Sequence, residues 1–142
     1  MGQQQLLLLV LGIVIVGLAV IVGVTAFQDG SRKSQADDVL NRNVRIAQEA
    51  VNWRGRSTIH GGGGGGNYDG LAVDGFQTMG VADSLAYADQ AILSASGTTL
   101  EIVGVSTAAP GVGAYVRVEG NEIVESCVAF DGSITLSANG AC

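Results

Sequence analysis

Residues Leu6 to Phe27 read LLLLVLGIVIVGLAVIVGVTAF, twenty-two positions without a charge or a proline and with Thr25 as the only hydroxyl. At about 1.5 Å of rise per residue, a helix of that length covers roughly 33 Å, slightly more than the hydrocarbon core of a bilayer. A single segment crosses that layer only as a helix, because each backbone N–H and C=O must then find its partner inside the segment. The sequence therefore predicts a membrane-inserting helix. A cleavable secretory signal fits less well. Val24-Thr25-Ala26 has the small-x-small form of a cleavage site, but Met1-Gly2-Gln3-Gln4-Gln5 carries no Lys or Arg. The run also exceeds the roughly 7–15 apolar residues of such a signal. N-myristoylation needs Ser or Thr where Leu6 stands. A simple one-pass anchor stays open.

The polar lead-in, Gln3, Gln4 and Gln5, is uncharged, which lowers the cost of entering a low-dielectric setting. Within the run, Gly12, Gly17 and Gly23 are expected to lend the helix flexibility or close packing, at about 1 kcal/mol each relative to alanine. Their spacing is not GxxxG. From Ser31 to Arg54 the pattern changes but stays helical. Ala36, Leu40, Val44, Ala47 and Val51 form one apolar stripe, and Asp38 and Arg42 are an i,i+4 pair in the favourable order. Gly55 is the expected C-cap, and Trp53 is expected to pack on the domain beyond it. The domain reading is residues 1–30 as an apolar helix and 31–55 as its amphipathic continuation. Residues 56–97 read as a glycine-rich connection with a short helix over Val81 to Leu93, and 98–142 as a sheet with a disulfide loop.

Charge is unevenly placed along the 142 residues. Six of the seven basic residues lie between Arg32 and Arg56, and nine of the thirteen acids lie beyond Arg56, facing the single Arg117. An acidic C-terminal part is unsuited to a general grip on nucleic acid. His60 precedes Gly61 to Gly66, a run that reads as a loop or linker. It is not a phosphate loop, since Asn67-Tyr68-Asp69 stand where Lys and Ser/Thr are required. Asn67, Asp69 and Asp74 lack the calcium-loop spacing. No CxxC exists, the one histidine has no neighbouring ligand, and no nucleophile–base pair is evident, so neither metal, cofactor nor enzyme is expected.

Beyond residue 97 the apolar period falls to two. Thr98 to Val105, Gly113 to Glu119, Glu122 to Phe130 and Ser133 to Ser137 read as four strands of an antiparallel meander. Gly120-Asn121 and Asp131-Gly132 are the hairpin turns expected between them. Cys127 falls in the third of these strands. It is expected to pair with Cys142, closing a loop of about 15 residues worth roughly 3 kcal/mol in the chain-entropy model. The fold class is α+β: a long helix, apolar then amphipathic, packed on a small four-stranded sheet with a C-terminal disulfide loop.

In this order these features resemble a type IV pilin. The uncharged start at Leu6, the amphipathic continuation through Val51 and the Cys127/Cys142 pair carry the resemblance. It implies a homopolymeric helical filament whose core is the bundled N-terminal helices, here Leu6, Leu9, Ile13, Val14, Leu18 and Ile21. It also implies residence in the inner membrane before assembly, an extracellular filament afterwards, and prepilin peptidase and an assembly machinery as partners. Adhesion, surface movement, DNA uptake and scaffolding all fit such a filament. The sequence departs from the family where it usually has phenylalanine at the mature N-terminus and glutamate five residues in. Met1 and Gln5 stand there if Met1 is the mature start, and cleavage after Gly2 would instead make Gln3 the first residue; either way the carboxylate is missing. The helix-breaking proline is also missing, which points to a divergent branch, a minor pilin or a type II secretion pseudopilin. The alternative is a membrane-anchored binding domain that remains single. If the cysteines are joined, a non-reducing peptide map contains a Cys127–Cys142 pair, and Cys127→Ser lowers the melting temperature; separate thiol peptides and unchanged melting would oppose the disulfide.

Overall fold

The computed structural model describes residues 2–139. The chain divides between Lys33 and Ser34 into two units. Helix α1, Gly2–Gly55, contributes to both, and a short helix α2 covers Gly75–Met79. Strands β1 (Ala88–Ser96), β2 (Thr99–Ser106), β3 (Gly113–Glu119) and β4 (Glu122–Ala129) come next, then β5 (Ile134–Thr135) and β6 (Ala138–Asn139). The first four form one antiparallel sheet in the order β1-β2-β3-β4, and β5 and β6 form a separate small hairpin.

The amphipathic part of α1 lies on one face of that sheet. Ile46, Ala47, Ala50 and Trp53 pack with Leu100, Ile102, Val116 and Val118 in one buried cluster. Higher up the helix, Val39 meets Ala88 and Ala114. On the opposite face Val103, Tyr115 and Ala129 are covered by Ile134. The buried positions of α1 are Ala36, Val39, Asn43, Ile46, Ala47, Ala50 and Trp53. Ala36 and Ala47 belong to the expected stripe, but Leu40, Val44 and Val51 are only half-buried at its side. The stripe is rotated because Asn43 sits at its centre. Its Nδ2 donates to the Ala114 carbonyl at 2.9 Å, and its side chain lies over Gly104. A polar residue with its donor satisfied can be buried where hydropathy alone would place a surface.

The stretch Val81 to Leu93 is not a helix. Its second half belongs to β1, where Ala88 pairs with Ser106 and Ile92 with Ile102 across a long backbone ladder. Alanine and leucine are good helix formers, but helix propensity spans under about 1 kcal/mol per residue and the ladder to β2 overrides it. The sheet consequently starts before residue 98, and Cys127 lies in its fourth strand rather than its third. The β1–β2 turn, Gly97-Thr98, and the β3–β4 turn, Gly120-Asn121, both place glycine first at positive φ, 55° and 63°, the form of a type II′ hairpin. Asp131-Gly132 does not join β4 to a fifth sheet strand. Asp131 instead accepts bonds from the Ser133 N–H and hydroxyl, in a local turn before β5. Cys142, the expected partner of Cys127, lies outside the described residues.

The six glycines are ordered turns and not a loose linker. The N–H groups of Gly63, Gly64 and Gly65 donate to the carbonyls of Trp53, Arg56 and Arg54 at 3.0, 2.9 and 2.6 Å. They satisfy carbonyls that the end of α1 leaves open. A Cβ on Gly63 or Gly70 would stand 2.7 Å from the Trp53 ring, so these glycines let the backbone close over the indole, whose Nε1 donates to the Gly61 carbonyl at 2.9 Å. Tyr68 lies just beyond, fully buried, with its hydroxyl donating to the Gly120 carbonyl at 2.5 Å and its N–H to the Gly97 carbonyl at 2.8 Å. It ties the two hairpin turns to the end of α1. Gly104 is the tightest point between helix and sheet, where a Cβ would lie 2.7 Å from Asn43 Oδ1 and 2.8 Å from Val39 Cγ1. Gly104→Ala is therefore expected to destabilise this unit by about 1–3 kcal/mol through overpacking. Thermal melting with the circular-dichroism spectrum unchanged is the check.

Candidate functional site

The surface that sets this chain apart is the first half of α1. By length and composition it is able to cross a membrane, and none of its apolar window is buried. Its large side chains stand from 50 % (Val10) to 79 % (Phe27) exposed. Leu6, Leu9, Ile13, Val14, Leu18 and Ile21, the expected filament-core residues, are all among them. At 100° per residue these six span about half of the circumference, and the exposed Leu8, Ile15 and Val16 lie on the other half, so no side of the helix is polar.

The helix also leaves few polar groups in need of water. The Thr25 hydroxyl approaches the carbonyls of Val22 and Ile21 at 3.0 and 3.2 Å, a bond back into its own helix. Gln5 lies within α1 and is exposed, while Met1 lies outside the described residues. Asp29 is the first charged side chain along the sequence. Around Gly12, Gly17 and Gly23 a Cβ would meet nothing within 4 Å. No neighbour in the described residues therefore requires these glycines. Gly12 and Gly23 fall on nearly the same face by helical period, and Gly17 on another.

The globular unit presents a different surface. On the sheet face away from α1, the register sets Arg117 between Glu101 and Glu125 and sets Glu119 opposite Glu122. The Arg117 guanidinium lies 3.4 Å from Glu119 and 3.6 Å from Glu125, both at half-exposed positions where such pairs contribute at most about 1 kcal/mol. The Tyr115 hydroxyl donates to Glu101 at 2.9 Å. Burial, with that bond and the negative charge of Glu101 in support, pushes the Tyr115 phenol up to about 12. Sequence reasoning does not find this row, although the two-residue turn at Gly120-Asn121 already implies that Glu119 faces Glu122. It also misses Tyr68 and Asn43, because nothing local marks a tyrosine after polyglycine or a mid-helix asparagine as buried. His60 lies exposed in a single turn over Thr58–His60. Among the described residues no group of three or more metal-ligating side chains comes together.

No protein-family model, curated protein or solved structure matches this chain. The functional reading accordingly rests on the surfaces themselves.

The Tyr115 phenol gives a testable pH dependence. Its folded value exceeds the unfolded value of 10.0, so the neutral form is favoured by folding. The stabilisation is complete below pH 10 and is lost as pH rises through about 12. Melting temperature should hold to about pH 9 and then fall more steeply than in Tyr115→Phe, with tyrosinate absorbance at 295 nm reporting the delayed ionisation.

Proposed function

We propose that this chain is the structural subunit of a type IV pilus-like filament, held together by bundling of residues 6–27 from many copies. One observation carries the reading: an apolar segment, residues 6–27, with its single hydroxyl bonded internally and no cover from the described residues. Against water, burying about twenty such side chains is favourable by roughly 1.5–3 kcal/mol each. Lipid satisfies that demand for a single copy. Other copies satisfy it in a filament, where the transfer from lipid is nearly neutral and packing decides. The small α+β unit then forms the outside, in the manner of the pilins that the sequence resembles. On this reading the chain resides in a membrane before an assembly machinery extracts it. It acts as a building element and not as an enzyme.

The same helix would serve a single-pass anchor, so the experiment must separate the two. Cells expressing the chain with a pilus assembly machinery are sheared, and the released material is imaged by electron microscopy and identified by mass spectrometry. Filaments made of this chain are expected; a detergent-bound monomer as the sole form would favour the anchor. Val14→Asp should abolish filaments, since a carboxylate at the bundle centre has no partner. Abundant filaments from that variant would refute a buried core at Val14.

A further inference from the structure

Beside α1 a groove of about 350 Å³ is lined by Arg42, Arg45, Glu49, Met79, Val81 and Ala82. Its lining holds two arginines and one glutamate, a net positive charge. Arg42 Nη2 donates to the Ala82 carbonyl at 3.0 Å, but its buried Nε has no acceptor among the described residues. Arg45 is exposed and makes no ion pair among them. The next residue of the same loop, Asp83, accepts the Gln90 N–H at 2.7 Å. Gln90 is only 5 % exposed, and neither atom of its side-chain amide is bonded among the described residues. This side of α1 thus holds several polar groups without protein partners, the reverse of the usual state of buried polar atoms.

The complementary surface is on the same unit. At the β3–β4 turn Glu119 and Glu122 stand directly opposite each other, an arrangement of like charges that costs stability. Arg117 reaches Glu119 and Glu125 but not Glu122, which is exposed. This turn cannot reach its own groove. Arg54 Nη1 lies 3.3 Å from Asn121 Oδ1, which fixes the turn beside the end of α1. Arg45 and Arg42 are nine and twelve residues earlier, about 14 and 18 Å along the axis.

We propose that the groove receives the β3–β4 turn of a second copy, with the Glu122 carboxylate meeting the exposed Arg45 guanidinium. The inference rests on the filament reading and specifies its outer contact. A groove and a turn at different places on one unit make a heterologous contact, which repeats from copy to copy without closing. Opposite charges at such a contact fix register and reject misaligned neighbours.

The test uses full-length chains in a host with the assembly machinery. Arg45→Glu and Glu122→Arg, each alone, should lower sheared filament yield at least about tenfold, because each puts like charges together. Subunit level should stay unchanged and the melting temperature of the detergent-extracted chain should not fall, as both positions are exposed and Glu122→Arg relieves the repulsion with Glu119. The two substitutions combined should restore yield to within about threefold of the unsubstituted chain. Undiminished filaments from either single variant overturn the docking and leave the helix bundle standing. So does failure of the combined variant to recover while the unsubstituted chain polymerises. If the unsubstituted chain makes no filament, the assembly reading fails first and the docking falls with it.

Discussion

An apolar helix surface with no covering partner among the described residues is the constraint on which the rest depends. The backbone of residues 6–27 is satisfied within α1, and Thr25 is satisfied by its own helix, so the segment asks for nothing that water supplies. Water is then the one surrounding it cannot tolerate at length. Lipid and like helices are the two that remain, and they differ little in transfer free energy. What distinguishes them is shape. Gly12, Gly17 and Gly23 lower helix propensity by about 1 kcal/mol each and contact nothing in the described residues. Lipid chains, being fluid, have no use for a gap of fixed position, whereas a neighbouring helix does.

The globular unit meets another difficulty, a small core built from a glycine-rich chain. It uses glycine as the complement of bulk. Gly63 and Gly70 admit the Trp53 indole, Gly104 admits Asn43 and Val39, and Gly113 admits Ile134. Each contact replaces a missing side chain with close approach of backbone to a large neighbour, which raises packing density where few large residues are available. The polyglycine run works in the same way. Its N–H groups end α1 while its bare backbone lies against the indole.

How much of this is legible in the sequence depends on the range of the interactions. Absence of charge from Leu6 to Phe27 and helical period to Trp53 are local signals, and α1 ends at Gly55 as they imply. Strands β2, β3 and β4 carry period-two patterns and tight-turn residues. Strand β1 does not, because Ala88 to Ser96 is alanine-rich and is made a strand by β2, its partner in space. Asn43 is buried by a carbonyl 71 residues away, and Tyr68 by one 52 residues away. No window of sequence contains such causes. The acidic row around Arg117 is intermediate, since each glutamate is visible but its neighbours emerge only once the bulged register of β3 and β4 is known.

The proposed assembly must also obtain register from somewhere. A helix apolar all round offers its neighbour many nearly equivalent contacts, because dispersion and hydrophobic burial have little direction. In the pilins that the chain resembles, a carboxylate near the start of the helix supplies one directional contact. Residues 2–28 hold no carboxylate, and a glutamine such as Gln5 can accept a hydrogen bond but without the charge–charge attraction. Fewer directional contacts in the core leave more of the alignment to the exterior. There the charges are unevenly placed: bases and acids are mixed along α1, while the four-stranded sheet carries five acids against the single Arg117. Screened surface charges add little to affinity, yet they discriminate strongly between aligned and misaligned neighbours. A filament built this way would draw its cohesion from residues 6–27 and its register from the α+β unit, so the two halves of α1 would carry separate tasks.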